Sequence, residues 1–191
     1  MDAVPAVDPA SMEVAGCEQP LWSSRPGAPV SGRPFVPEAS AELLRTIAGV
    51  LDIRAVFPRI SDIVKQVVPH DSLALKFSDR AGRMTLEARS TRDLPEHGWS
   101  ESSENEEFTI VSDLRRIRSR ATDNEPSNVD RCVAAGYRSM LSVRAVAQHQ
   151  IMQLGFFSKQ ANAYTPDDVP GARHVADCVA VSVAVGDAVG V

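Results

Sequence analysis

The sequence predicts an α+β fold, and three features of its pattern support this class. Near both ends of the folded region, apolar residues recur every three or four positions, which is the spacing of a helical face. Between these regions, short segments alternate apolar and polar side chains in adjacent pairs, as antiparallel strands do. The chain has 191 residues, of which 43% are apolar and 24% charged, and these values suit one globular domain.

The N-terminal region is predicted to be a flexible tail. Prolines recur throughout residues 1–37, and few apolar positions there could pair with one another. Such a segment buries too little surface to offset the entropy lost on ordering. The folded domain is therefore expected to span residues 38–189.

Two helices are predicted at the start of the domain. The first begins near Glu38 and presents an apolar face made of Leu43, Leu44, Ile47, Val50 and Leu51. The second presents Phe57, Ile60, Ile63, Val64 and Val67. Because Pro58 has no amide proton, it is best tolerated in the first turn, so we expect the second helix to start near Ala55.

A hairpin and a long loop are predicted next. Residues 72–78 and 84–88 have strand periodicity, and a turn containing Gly82 joins them. Residues 92–126 are polar apart from a short apolar patch at 108–111, which indicates a long irregular segment. Ser127 can then cap a short helix that ends before Gly136.

The last third of the chain predicts two paired strands and a long helix. Residues 141–145 and 151–159 form the strands, and 165–168 have the composition of a helix start. The final helix has one apolar seam at Val169, Ala172, Ala176, Val179 and Val183, and a second at Cys178, Val181, Val185 and Ala188. A single domain buries only one seam, so the second is expected to contact another chain or a continuation of this one.

The composition of the chain disfavours several classes of function. A net charge of −5 and a pI near 5.4 disfavour direct binding to nucleic acid. We expect no membrane-spanning segment, and three scattered cysteines predict a reducing, cytoplasmic location. Neither a known catalytic motif nor a metal-ligand spacing is present in the sequence, so we predict a domain that is not an enzyme and holds no metal.

Three segments carry a resemblance to a known family. They are Ala-Gly-Tyr-Arg-Ser-Met-Leu-Ser-Val at 135–143, Ile-Met-Gln-Leu-Gly-Phe-Phe-Ser-Lys at 151–159 and Tyr-Thr-Pro-Asp-Asp at 164–168. With the predicted order of elements, they resemble the GAF domain of bacterial transcription activators and sensor histidine kinases, over roughly residues 40–187. The resemblance implies a PAS-related antiparallel sheet with the terminal helices on one face. It also implies a ligand pocket on the other face, roofed by the central loop and short helix.

The resemblance further implies a regulatory sensor that binds a small molecule. Such a domain would form a homodimer through its terminal helices and signal to an effector outside this chain, either a transcription activator or a histidine kinase. The sequence does not indicate a cofactor. The expected ligand contacts are Trp99, Phe108, Ile110, Cys132, Tyr137 and Ser139.

Several of these residues have a second interpretation. Trp99, Phe108 and Tyr137 equally suit a small core beneath the loop. Cys132 suits a buried hydrophobic position better than the thiol of a redox enzyme of the GAF free methionine sulfoxide reductase type, which is the first alternative function. A ligand-free dimerisation module is the second alternative.

Arg89 and Arg144 lie on strands with apolar neighbours, so each could hold an anionic ligand group. Because arginines on strands usually face water, we expect both to be solvated.

Overall fold

The computed structural model describes residues 37–48, 50, 52–96, 106–117, 126–147 and 150–189, with side chains of the last helix up to residue 182. The helices are α1 (Pro37–Ile47), α2 (Ile53–Val64), α3 (Asn128–Ala134) and α4 (Val169–Val189). The strands are β1 (Ser72–Ser78), β2 (Met84–Arg89), β3 (Phe108–Val111), β4 (Ser139–Ala147) and β5 (Gln150–Ser158). Short 3-10 helices occupy Leu114–Arg116 and Pro166–Asp168. The predicted tail lies outside the described residues except for Pro37.

The strands form one antiparallel sheet in the order β2-β1-β5-β4-β3. The predicted hairpins β1–β2 and β4–β5 are both present, and β5 lies at the centre, where Leu154 to Phe157 are buried on both faces. These features confirm the α+β class and the antiparallel sheet.

The terminal helices α1, α2 and α4 cover one face of the sheet. The main core lies between them and this face, and it includes Phe57, Leu75, Leu141, Phe156 and Val179, each 2% exposed or less. Four residues of the first predicted seam of α4, Val169, Ala172, Ala176 and Val179, are buried there, as expected, and the side chain of Val183 lies outside the described ones. We call this side of the sheet the helix face.

The start of α2 differs from the prediction. The helix begins at Ile53, two residues before Ala55, because the Asp52 carboxylate accepts a hydrogen bond from the Arg54 amide at 3.0 Å and caps it. Pro58 therefore lies in the second turn and leaves the Arg54 carbonyl without its helical donor. Both residues are exposed, so water can satisfy that carbonyl.

The predicted irregular segment 92–126 contains an additional strand, so that prediction was wrong for residues 108–111. Strand β3 pairs with β4 in the register Phe108↔Val143 to Val111↔Met140 and forms one edge of the sheet. Four residues are too few to give a clear alternation in the sequence. The strand forms because β4 offers it a hydrogen-bonding edge.

The opposite face of the sheet is covered in part by a lid, made of the 3-10 helix at Leu114–Arg116 and α3. Ser127 and Asp130 form the capping box that begins α3. At its other end Gly136 has a φ of +90°, a conformation that L side chains rarely adopt, as predicted for the residue after a helix. We call this side of the sheet the lid face.

Candidate functional site

The lid packs directly onto the sheet through a second, smaller core. Its buried members are Ala74, Leu94, Leu114, Val129, Cys132, Tyr137, Met140 and Phe157. The Tyr137 and Phe157 rings meet edge to face, with centroids 5.8 Å apart. Beneath α3 itself, the described residues therefore fill the space between lid and sheet.

Polar contacts at the rim attach this core to two loops. The Tyr137 hydroxyl donates to Asp93 Oδ1 at 2.9 Å, and Lys159 Nζ lies 3.1 Å from Asp93 Oδ2. Hydrogen bonds, first from Thr91 and then from Lys159 and Tyr137, lower the pKa of Asp93 to about 2. Asp93 thus stays ionised at neutral pH and connects the segment after β2 to Tyr137, which follows α3, and to Lys159, which follows β5.

A second ion pair positions the 3-10 helix of the lid. Arg138 Nε and Nη2 lie 3.2 and 3.0 Å from the two Asp113 oxygens, a bidentate arrangement. The same carboxylate caps the 3-10 helix through the Arg115 amide at 3.2 Å. These hydrogen bonds, that of Arg138 foremost, lower the pKa of Asp113 to about 2.

The structure separates the residues expected to contact a ligand. Cys132 and Tyr137 lie in the lid core, and Ser139 donates to the Gln160 carbonyl at 2.6 Å, which fixes the loop after β5. Phe108 and Ile110 pack against the main core on the helix face, away from the lid. Trp99 lies outside the described residues.

Next to the lid core, two rows of side chains cross the lid face of the sheet. The register aligns Arg89, Ala74, Gly155, Ser142 and Thr109 in the first row. It aligns Glu87, Lys76, Gln153 and Arg144 in the second. Their neighbours along β4, including Leu141 and Val143, point to the helix face, so the rows are separated from the main core by the sheet. We call these two rows the polar rows.

Arg144 is the most unusual member of the polar rows. The residue is half-buried, and its Nε is buried without a hydrogen-bond partner within the described part of the chain. This finding corrects the expectation that Arg144 faces water. Alternation along β4 places Arg144 on the face opposite the core residues Leu141, Val143 and Ala145, but it gives no signal that this second face is partly covered.

Its row neighbours are polar groups that can accept or donate hydrogen bonds. Gln153 lies directly opposite Arg144 on β5 and is half-buried. Ser142, only 3% exposed, precedes Arg144 on the same face of β4. Thr109 pairs with Ser142 from β3, and its hydroxyl donates to Glu106 Oε2 at 3.2 Å.

The other charged members of the rows have partners. Arg89 donates to the Leu94 carbonyl and to Glu96 Oε1, both at 2.6 Å, and so fastens the segment before the lid. Lys76 lies between Glu87 and Gln153 in the register. Arg144 therefore differs from Arg89, although both are half-buried arginines of one sheet face.

A different polar cluster lies on the helix side, between α1 and α4. His174 Nε2 is 3.0 Å from Ser40 Oγ and 3.3 Å from Cys178 Sγ. Next to it is a cavity of about 10 Å³, lined by Ser40, His174 and apolar side chains of α1, α2 and α4. This volume holds at most one water molecule, so the cavity does not suit an organic ligand.

The described ranges contain neither a metal-binding cluster nor a membrane-spanning helix. Within them, no group of three or more His, Cys, Asp or Glu side chains is arranged to hold a metal ion. None of the described helices has the length and apolar character needed to cross a bilayer.

Comparison with known proteins identifies the fold. Neither a protein-family model nor a curated protein matches the sequence. Among solved structures, a domain from a two-component sensor histidine kinase protein of Sinorhizobium meliloti has 17% identity and a TM-score of 0.51, covering 69% of this chain and 90% of its own. The free methionine-R-sulfoxide reductase of Neisseria meningitidis has 13% identity and a TM-score of 0.53, covering 81% and 90%.

A third similar structure is a GAF domain from Synechocystis in its photoproduct state, with 14% identity and a TM-score of 0.53, covering 72% of this chain and 97% of its own. The phycocyanobilin-bound GAF domain of a cyanobacterial phytochrome also matches, with 14% identity and a TM-score of 0.51, covering 79% and 97%. Identities this low establish a shared fold alone. The described part of this chain has the fold of a GAF domain.

Proposed function

We propose that this chain is a regulatory sensor domain that binds a small molecule at the polar rows beside the lid. The observation that carries this proposal is the buried Nε of Arg144, which has no hydrogen-bond partner among the residues that the structure describes. A charged group in that position is costly in the unliganded protein, and a bound molecule can supply the missing acceptor.

The sheet offers a direct route from the polar rows to the terminal helices. Arg144 and its strand neighbour Val143 point to opposite faces of β4, and Val143 belongs to the main core beneath the helices. Helix α4 packs against β4 and β5, while α1 packs against α4. A ligand that favours one position of β4 would thus bias the helices, provided that it binds the two positions with different affinities.

The output surface in this proposal is the outer side of the terminal helices, through which two copies associate. Val181 on α4 is 61% exposed, and Leu44 on α1 is 42% exposed. Both are large apolar residues that a monomer leaves in water. The effector would lie outside this chain, as part of a transcription activator or a histidine kinase. The Sinorhizobium neighbour, a domain of a sensor kinase protein, supports the second of these.

Native mass spectrometry of the 191-residue protein tests the proposal, because it reports subunit count and bound mass together. We expect a two-chain species that carries additional mass, released when the protein is denatured. A single chain with only its own mass at micromolar concentration would contradict both the dimer and the ligand.

One alternative, a thiol-based redox enzyme of the methionine sulfoxide reductase type, receives less support. Cys132 is fully buried in the lid core, and burial raises its pKa to about 11. A thiol is nucleophilic only as the thiolate, which this environment disfavours. The domain is therefore proposed to be regulatory and not catalytic.

The other alternative, a ligand-free dimerisation module, has one observation in its favour. The lid core is closed, with Leu94, Cys132, Tyr137 and Phe157 all fully buried. In this case native mass spectrometry would show two chains without additional mass. That result would retain the dimer and reject the ligand site.

A further inference from the structure

We propose that the ligand at the polar rows is an amphipathic organic anion whose carboxylate, sulfonate or phosphate group binds Arg144. This inference rests on the proposed sensor function and specifies the chemical class of its ligand. It follows from three features of the structure: the state of Arg144, the donors around it, and the apolar residues beyond it.

The first feature is that Arg144 is the one half-buried arginine of the described residues that forms no ion pair, and its Nε is buried without a hydrogen-bond partner there. The Nε of Arg173 is buried in the same way, but Arg173 has a carboxylate partner through Nη2. Arg89 pairs with Glu96 and Arg138 with Asp113, while Arg173 contacts Glu107. An arginine stays protonated in proteins, so Arg144 cannot remove its charge by losing a proton. An oxyanion matches the forked geometry of the guanidinium and satisfies Nε together with a terminal nitrogen.

The second feature is the character of the adjoining side chains. The Gln153 amide and the Ser142 hydroxyl flank Arg144 on the same face and can donate hydrogen bonds to an oxyanion. Among the described residues, the carboxylates near the polar rows have other neighbours: Glu87 pairs in register with Lys76, Glu96 accepts from Arg89, and Glu106 accepts from Thr109. These carboxylates therefore lie next to other side chains, and the guanidinium of Arg144 is available to bind an anion from solution.

The third feature is an apolar pair on the far side of the second polar row. Val146 and Ile151 oppose each other two residues beyond Arg144 and Gln153, on the same face. Val146 is 68% exposed, and Ile151 is half-buried. An anion with an apolar body can bind Arg144 and cover these side chains, which removes apolar surface from water.

Two fluorescent dyes of similar shape and different charge test this inference. 1-Anilinonaphthalene-8-sulfonate carries a sulfonate, and N-phenyl-1-naphthylamine is its uncharged counterpart. We expect the wild-type protein to bind the sulfonate dye more tightly. Arg144→Met should weaken that binding about tenfold or more, the loss typical of a charged hydrogen-bonded pair, and leave the neutral dye unaffected.

The matched control is Arg59→Met, which removes the same charge from an exposed position on α2, across the sheet. It should leave the affinity for both dyes unchanged. Thermal unfolding without dye separates a binding role from a structural one. Because methionine removes a buried charge without a partner, Arg144→Met should melt at the same or a higher temperature than wild type.

Each result of these dye-binding and unfolding experiments either supports the inference or contradicts it. A lower melting temperature for Arg144→Met would show that the guanidinium stabilises the fold, and would overturn it. Equal binding of the two dyes to wild type would reject the anionic class while leaving the proposed ligand site in place. If neither dye binds and native spectra show no additional mass, both the inference and the proposed sensor function are wrong.

Discussion

Tyr137 and Asp93 are joined across the rim of the lid core by a hydrogen bond of 2.9 Å from the phenol to Oδ1. The phenol belongs to a side chain that is fully buried, whereas 47% of the Asp93 side chain is exposed. The Lys159 ammonium approaches both, at 3.1 Å from Asp93 Oδ2 and 5.6 Å from the centre of the Tyr137 ring. Tyr137 is therefore held at the rim of the lid core by a hydrogen bond and a cation–π contact as well as by apolar packing.

We expect Tyr137→Phe to reduce the free energy of unfolding by about 1 kcal/mol, the usual value for one hydrogen bond, and Asp93→Ala to reduce it by at least as much, because Asp93 also contacts Lys159. A double-mutant cycle in urea should show that the two effects are not additive, because both variants remove the same bond. Asp62→Asn, at an exposed position on α2, is the control and should have little effect. Full additivity would mean that the bond contributes nothing to stability.

The second prediction concerns His70, which is buried beside Phe156. Its Nδ1 lies 2.7 Å from the Val68 carbonyl and must donate, so Nε2 of the neutral ring accepts from the Ser61 hydroxyl at 2.9 Å. Burial lowers the pKa of His70 from 6.5 to about 4. His70 therefore binds its second ring proton less readily in the folded protein than in the unfolded chain.

The stability that follows from this shift is fully present above pH 6.5 and decreases as the pH falls toward 4. Below that pH, both states bind the proton and the loss is complete. The shift corresponds to about 3 kcal/mol. We expect urea titrations between pH 7.5 and 4.5 to show a smaller decrease for His70→Gln than for wild type. Carboxylates titrate in both proteins, so the difference between the two curves isolates His70, and parallel curves would contradict the assignment.

The third prediction concerns thiol reactivity. Cys132 is fully buried and its pKa is raised to about 11, whereas Cys178 on α4 is half-buried. Iodoacetamide at pH 8, followed by peptide mass spectrometry, should therefore modify Cys178 before Cys132 in the folded protein. In urea the two should react at similar rates. Rapid modification of Cys132 in the native protein would revive the redox-enzyme alternative.

The fourth prediction tests the dimer surface with two valines of similar exposure. Val181 on α4 is 61% exposed, and Val146 at the end of β4 is 68% exposed. We expect Val181→Glu to shift the protein from two chains to one in sedimentation velocity, because it buries a charge in the proposed interface. Val146→Glu should remain dimeric. A dimeric Val181→Glu protein would place the interface elsewhere.

Local patterns in the sequence were sufficient for most elements of the fold. The capping box of Ser127 and Asp130, the left-handed Gly136 and the two hairpins are each determined by residues within a few positions of one another. The buried face of α2 followed from its apolar spacing, whereas Leu44, which the spacing placed on the apolar face of α1, is 42% exposed. The start of α2 was harder to predict, because the capping residue Asp52 outweighed the preference of Pro58 for a first turn.

The candidate site could be predicted only in part. Tyr137 and Cys132 were correctly expected near the lid, but the sequence did not show which side of the sheet Phe108 and Ile110 would face. Their orientation follows from the pairing of β3 with β4, where a shift of one residue would reverse it. The same pairing brings Thr109 next to Ser142.

The sequence by itself determined which segments are the helices and the four longer strands, because apolar periodicity within a segment decides that. The four-residue strand β3 was the exception, since it forms only against the edge of β4. Only the tertiary structure decided what each strand residue faces, because strand register depends on partners far away in the chain. Arg144 illustrates the difference: its position on a strand is evident from alternation, but its buried Nε results from the residues that neighbouring strands bring around it.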